Sequence, residues 1–195
     1  MTNYKAYTEL ECDNLDVISA KIYKFLQDET TVLTDQQYGW IFLDAGRLLS
    51  AVSELLLSAV SELVDFFKKQ KLMVRDAAIT LVVDDFPIHV DPLPVIAKIN
   101  VPVINVDGWI NQWYEIDPED LKKCPTVTTK YGHTKEDVSV LPKEAFKLIA
   151  EYEGMKKIVA FHSRLAHGVK KVNPVQVPRI ISSFTFHNEP LHLLT

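Results

Sequence analysis

From Lys71 onward the chain breaks into short runs of β-branched and aromatic residues separated by Pro, Gly, Asn and Asp. This texture constrains the fold more than any other feature, because short apolar runs bounded by turn formers build the strands of a β-sandwich or barrel. Predicted strands cover 77–83, 88–90, 95–106, 111–116, 126–129, 157–162, 168–171 and 179–186. Asp107-Gly108 is a hairpin signal between two of them, and Asn173-Pro174 marks a turn further on. Residues 142–152 read as a short helix with Ala145, Leu148 and Ile149 inward.

The N-terminal third has a different period. Between 13 and 26, Leu15, Ile18, Ile22 and Phe25 recur at helical spacing, with Asp13 or Asn14 placed to cap the start. Residues 38–43 (YGWIFL) suit a short strand, and 44–70 a long amphipathic helix. Inside that helix the octapeptide LLSAVSEL occurs twice in tandem, at 48–55 and 56–63. Two copies are too few for a solenoid. The duplication reads as a lengthened helix, and the alternative is an apolar self-association face on 44–70. Eight strands with helices on one side suit a double-stranded β-helix, a jelly roll of two facing sheets. No Gly-, Ser- or Pro-rich linker divides the chain. A single domain over 1–195 is therefore expected, mainly helical to residue 70, with the β core at 71–190.

Composition limits the functional classes. With 47% hydrophobic and 24% charged residues, the 195-residue chain has the balance of a globular protein able to bury a core. A net charge of −5 gives no electrostatic reason to expect nucleic acid as a partner. Cys12 and Cys124 are far apart and lack CxxC spacing, which suggests free thiols in a reducing compartment. The N-terminus has no charged-then-apolar signal pattern, and no apolar run approaches the ~20 residues that span a bilayer. The expectation is a cytoplasmic protein with no membrane segment.

Candidate chemistry centres on His89-Val90-Asp91, followed by His167 and Arg179. Residues two apart on a strand face the same way, so His89 and Asp91 can share one ion. With His167 they make two imidazoles and a carboxylate, the set that binds non-haem Fe(II) on one triangular face and leaves other positions open. Taken alone, the pair also suits a solvated turn between Pro87 and Pro92, and His162 rivals His167 as a ligand. His133, His187 and His192 are expected at the surface. Arg179 in a β-branched strand requires an anionic partner, either a structural carboxylate or a bound one. Asn100 and Asn105 have opposite parity along their strand, so only one can face a pocket; the same holds for Trp113 and Tyr114. Cys124 has no basic neighbour to activate it as a nucleophile.

These residues resemble the metal and co-substrate signature of the Fe(II)/2-oxoglutarate-dependent oxygenases. The segments Lys98–Asn105, Trp113-Tyr114-Glu115, Ala166–Val169 and Val177–Ile180 are similar to those of small phage and bacterial members, and the likeness covers roughly 71–187. It implies Fe(II) on His89, Asp91 and His167, and 2-oxoglutarate with its distal carboxylate on Arg179. Asn100, Asn105 and Tyr114 are candidates to line the co-substrate pocket. The implied reaction hydroxylates a small-molecule or peptide substrate and releases succinate and carbon dioxide. Some members carry Arg-x-Ser in the final strand, whereas here Ser182 and Ser183 lie three and four positions after Arg179. Two other functions suit a jelly roll: a non-catalytic binding module, and a cupin-like metalloenzyme that does not use 2-oxoglutarate.

Overall fold

The computed structural model describes residues 4–28, 38–44, 54–128, 134–172 and 175–195. Its strands are β1 (Tyr7–Leu10), β2 (Tyr38–Asp44), β3 (Val74–Val82), β4 (Phe86–His89), β5 (Ala97–Ile104), β6 (Trp109–Ile116), β7 (Thr126–Thr128), β8 (Thr134–Glu136), β9 (Phe146–Glu153), β10 (Ile158–His162), β11 (Ala166–Lys171) and β12 (Arg179–Phe186). Helices are α1 (Leu15–Asp28), α2 (Glu54–Lys69) and the single-turn α3 (Pro118–Leu121). All strand pairings are antiparallel. They form a large sheet β1-β10-β5-β12-β3-β2, a small sheet β4-β11-β6-β9 and a β7-β8 hairpin.

Alternation along the large sheet divides its residues between two environments. On one face, Ile79 and Leu81 of β3, Ile99, Val101 and Val103 of β5, and Ile180, Phe184 and Phe186 of β12 share a buried core with the helices. From α1 this core takes Leu15, Ile18, Ile22 and Leu26, spaced by three and four as an amphipathic helix requires. Phe25, predicted to point inward, is only partly buried beside it. From α2 it takes Leu63 and Phe67, and the Phe67 ring lies 5.0 and 5.1 Å from those of Phe184 and Phe186. On the opposite face, Thr80, Lys98, Asn100, Arg179, Ile181 and Ser183 line a cavity closed by residues of the small sheet.

Three expectations need correction. Residues 142–152 are not a helix: after a 3₁₀ turn at Lys143–Ala145 the chain runs as β9, paired with β6. Its Ala, Leu, Glu and Lys content favours a helix locally, but β6 has a free edge that this segment fills, and pairing overrides weak propensity. Leu148 and Ile149, expected inward, are 45% and 44% exposed. Asp107-Gly108 does not close a hairpin, because β5 and β6 belong to different sheets. Asn105 and Gly108, both at positive φ (55° and 74°), instead turn the chain from the large sheet to the small one. The third correction concerns strand number: β1 and β8 were not anticipated. The Asn173-Pro174 turn and residues 45–53, which hold most of the first LLSAVSEL copy, lie outside the described residues. The second copy lies wholly within α2.

Phe67 is fully buried between α2 and β12. Phe67→Ala should lower unfolding free energy by about 3–5 kcal/mol in urea titration, the range for a large aromatic removed from a packed core.

Candidate metal and anion site

Strands β4 and β11 are hydrogen-bonded neighbours, and their register sets His89 directly opposite His167. The imidazole centroids lie 4.3 Å apart. Asp91 follows β4 after Val90, where its backbone is held twice: its N–H donates to the Ser163 carbonyl (3.2 Å), and Arg164 Nη1 donates to its own carbonyl (2.6 Å). Arg164 also spans both carboxylate oxygens of Glu136 at 2.8 and 2.7 Å, tying β8 to the same loop. One ligand atom from each of His89, Asp91 and His167 falls in a cluster no more than 4.8 Å across.

The tautomers follow from the hydrogen bonds. His89 Nδ1 is 2.9 Å from the Pro87 carbonyl and His167 Nδ1 is 2.8 Å from that of Leu165. A carbonyl can only accept, so each Nδ1 carries the proton and each Nε2 keeps a free lone pair. Both Nε2 atoms face the carboxylate, at 4.0 Å (His89 to Oδ1) and 3.7 Å (His167 to Oδ2). Burial, helped by the neighbouring His167, drives His89 down to about 3. Burial likewise lowers His167, against the pull of Asp91. Asp91 behaves differently. Burial alone would raise its pKa, but the Lys98 ammonium, then His167 and His89, outweigh that and bring it to about 2. At neutral pH the cluster presents two neutral imidazoles and one carboxylate, the protonation states a divalent transition metal requires.

Arg179 opens β12 and is 1% exposed. Its Nη2 donates to Asn111 Oδ1 at 2.8 Å, across the gap between the sheets. Among the described residues Nε and Nη1 have no hydrogen-bond partner, and neither does the buried Thr80 hydroxyl on adjacent β3. Among the described residues no carboxylate forms an ion pair with Arg179. Desolvation lowers its pKa to about 10, so it remains charged at neutral pH. The cavity therefore has a metal-ligating cluster, a buried guanidinium with unused donors, and apolar walls from Phe86, Trp113 and Phe161.

Of the sequence candidates, His89, Asp91, His167, Arg179 and Asn100 line this one cavity. Asn100 accepts a hydrogen bond from Ser183 (2.6 Å). Asn105 lies beyond the end of β5 and donates to the Pro178 carbonyl (2.8 Å), away from the cavity. Tyr114 is not in the cavity either, because β6 turns Trp113 inward and Tyr114 outward. The Tyr114 hydroxyl donates to Gln112 Oε1 (2.8 Å), and its ring packs 6.0 Å from Phe146. His162 is outside the cluster, beside Tyr4 at 5.9 Å. His187 and His192 are exposed, and His133 is outside the described residues. Lys98, Asn111 and Thr80 were missed. Parity alone would have found the first, since Lys98 is two residues before Asn100 on the same strand.

No protein-family model and no curated protein matches the chain. Solved structures do. The epimerase SnoN, in complex with Fe3+, alpha ketoglutarate and nogalamycin RO, superposes with a TM-score of 0.56 at 11% identity, over 94% of this chain and 79% of that one. The non-heme alpha ketoglutarate dependent carbocyclase SnoK from nogalamycin biosynthesis gives 0.56 at 12% identity, over 94% and 80%. AviO1 from Streptomyces viridochromogenes gives 0.52 at 12% identity, over 96% and 92%. At these identities the likeness is one of fold.

Among the described residues Asn111 supplies the one hydrogen bond that the Arg179 guanidinium makes. Asn111→Ala should cost about 1.5–3 kcal/mol of stability, the worth of a hydrogen bond to a charged group, as measured by urea unfolding.

Proposed function

We propose that this chain is a double-stranded β-helix enzyme using non-haem Fe(II) and 2-oxoglutarate to oxidise a small-molecule substrate. One observation carries the reading. A two-imidazole, one-carboxylate cluster shares a cavity with a buried arginine whose Nε and Nη1 have no partner among the described residues. A charged donor pair left unsatisfied in a protein interior is costly, and a carboxylate offering two parallel acceptors relieves that cost. The folds of SnoN and SnoK support the reading, since those proteins are described with alpha ketoglutarate.

In this reading His89, Asp91 and His167 hold the iron, and Arg179 binds the distal carboxylate of 2-oxoglutarate. The Thr80 hydroxyl, directly across the ladder from Ile181 and without a partner among the described residues, would give that carboxylate its second contact. It would serve where some oxygenases use the serine of Arg-x-Ser. When bound, iron and 2-oxoglutarate together supply dioxygen activation coupled to decarboxylation of the 2-oxo acid to succinate. The residues of this chain do the rest: the Pro87 and Leu165 carbonyls fix the imidazoles, and Phe86, Trp113 and Phe161 exclude water from the reacting centre. A cupin-like metalloenzyme without 2-oxoglutarate shares the ligand set but leaves the free donors of Arg179 unexplained.

Anaerobic titration with Fe(II) and then 2-oxoglutarate tests the assignment. The wild type should develop the visible charge-transfer band of the chelate, and His89→Ala should lose it. Arg179→Ala should raise the 2-oxoglutarate concentration needed by about 10–100-fold, matching one or two lost charge-assisted hydrogen bonds. Iron binding without a band would favour the other metalloenzyme, and no iron binding would leave a jelly-roll binding module.

A further inference from the structure

Lys98 is a charged residue of the cavity to which the proposed function gives no task. Its ammonium lies 2.8 Å from Asp91 Oδ2, and the two side chains are only 16% and 7% exposed. The carboxylate oxygen it approaches is also the one nearest His167 Nε2, at 3.7 Å. Lys98 therefore stands where it neutralises the only negative charge of the ligand cluster. Of the other polar side chains nearby, Asn100 pairs with Ser183 and Arg179 Nη2 with Asn111.

A buried carboxylate without a counter-charge is strongly disfavoured, and a buried ammonium equally so. In the Lys98–Asp91 pair each solves the problem of the other. A divalent ion on the same carboxylate changes the balance, because Asp91 would then be shared between three positive charges in a medium of low polarity. Resting on the metal-site reading above, we infer that Lys98 opposes metal binding: its ammonium, paired with Asp91 Oδ2, competes with the ion for the same carboxylate. Ligand affinity is thereby exchanged for stability of the metal-free protein, and the site takes up its ion reversibly rather than trapping it.

Two effects of removing Lys98 separate this role from plain positioning. A residue that orients Asp91 for the metal would, when lost, weaken metal binding. A competing cation would, when lost, strengthen it while destabilising the empty protein. Zn(II) and Co(II) affinities of the full chain, measured by competition with a chromophoric chelator, should rise by about tenfold or more in Lys98→Met, as expected when a like charge leaves a poorly screened site. Lys98→Gln, which keeps a donor but no charge, should behave in the same direction, and Lys98→Arg should retain wild-type affinity. Thermal unfolding supplies the second readout. The two uncharged variants should melt below wild type without metal and recover to the wild-type value with saturating Zn(II).

Unchanged or weaker metal binding in both uncharged variants would overturn the inference, as would equal destabilisation with and without metal. His89→Ala is the control for the underlying reading. If the wild type binds Zn(II) and His89→Ala does not, the ligand cluster stands whatever Lys98 does. If the wild type binds neither ion, both readings fall together.

Discussion

The whole cavity depends on the antiparallel ladder between β4 and β11. It places His89 and His167, which are 78 positions apart, side by side as direct partners. Their rings then take orientation from the backbone itself, through carbonyls two residues upstream of each. The ladder is tight. A Cβ on Gly168 would come within 3.0 Å of the Phe86 carbonyl and 3.3 Å of the Ile88 backbone, so any side chain after His167 would push β4 back by a few tenths of an ångström. Register and close approach together make the ligand pair a product of strand pairing, not of flexible loops, which favours a fixed geometry.

The second constraint is the partition of the large sheet. The same strands present aliphatic residues to the helices and Thr80, Lys98, Asn100, Arg179 and Ser183 to the small sheet. A polar face enclosed between two sheets is a liability in a purely structural sandwich, because each buried group then needs a partner. Here most are matched by neighbours: Ser183 with Asn100, Arg179 with Asn111, Lys98 with Asp91. The unmatched atoms, on Thr80 and Arg179, gather at one end of β12 and β3. Helices on the opposite face make this affordable. The core of α1, α2 and the large sheet excludes solvent without help from the cavity side, so the polar face is free to serve chemistry.

Much of this was legible from residues alone. The β texture after Lys71, the helix expected at 13–26 and the alternation that puts His89 and Asp91 on one side needed only period and turn chemistry. The grouping of His167 and Arg179 with them rested on resemblance, and the structure brings all four to one cavity. What could not be read was pairing between strands far apart in sequence. Asn111 meets Arg179 only because β6 and β12 face each other from different sheets. Thr80 lies opposite Ile181 only through one particular register. Parity says that one of Trp113 and Tyr114 faces inward but not which, and it is Trp113 that lines the cavity. The Asp107-Gly108 turn misled for a related reason: turn chemistry specifies a reversal of the chain but not whether the next strand rejoins the same sheet.

Strand β9 carries a consequence of its own. It ends the small sheet among the described residues, so one row of its amides and carbonyls has no strand beside it, and Leu148 and Ile149 stand partly in solvent next to that row. Such an edge is a template on which a second chain can add a strand. Lys147, Glu151 and Glu153 punctuate it with charges of both signs, so an incoming copy in antiparallel register would have to bury or mismatch them. The sheet that holds the ligands is thus kept finite by electrostatics at its far edge. Crowding at high concentration or screening by salt would weaken that protection first at β9, three strands away from His89.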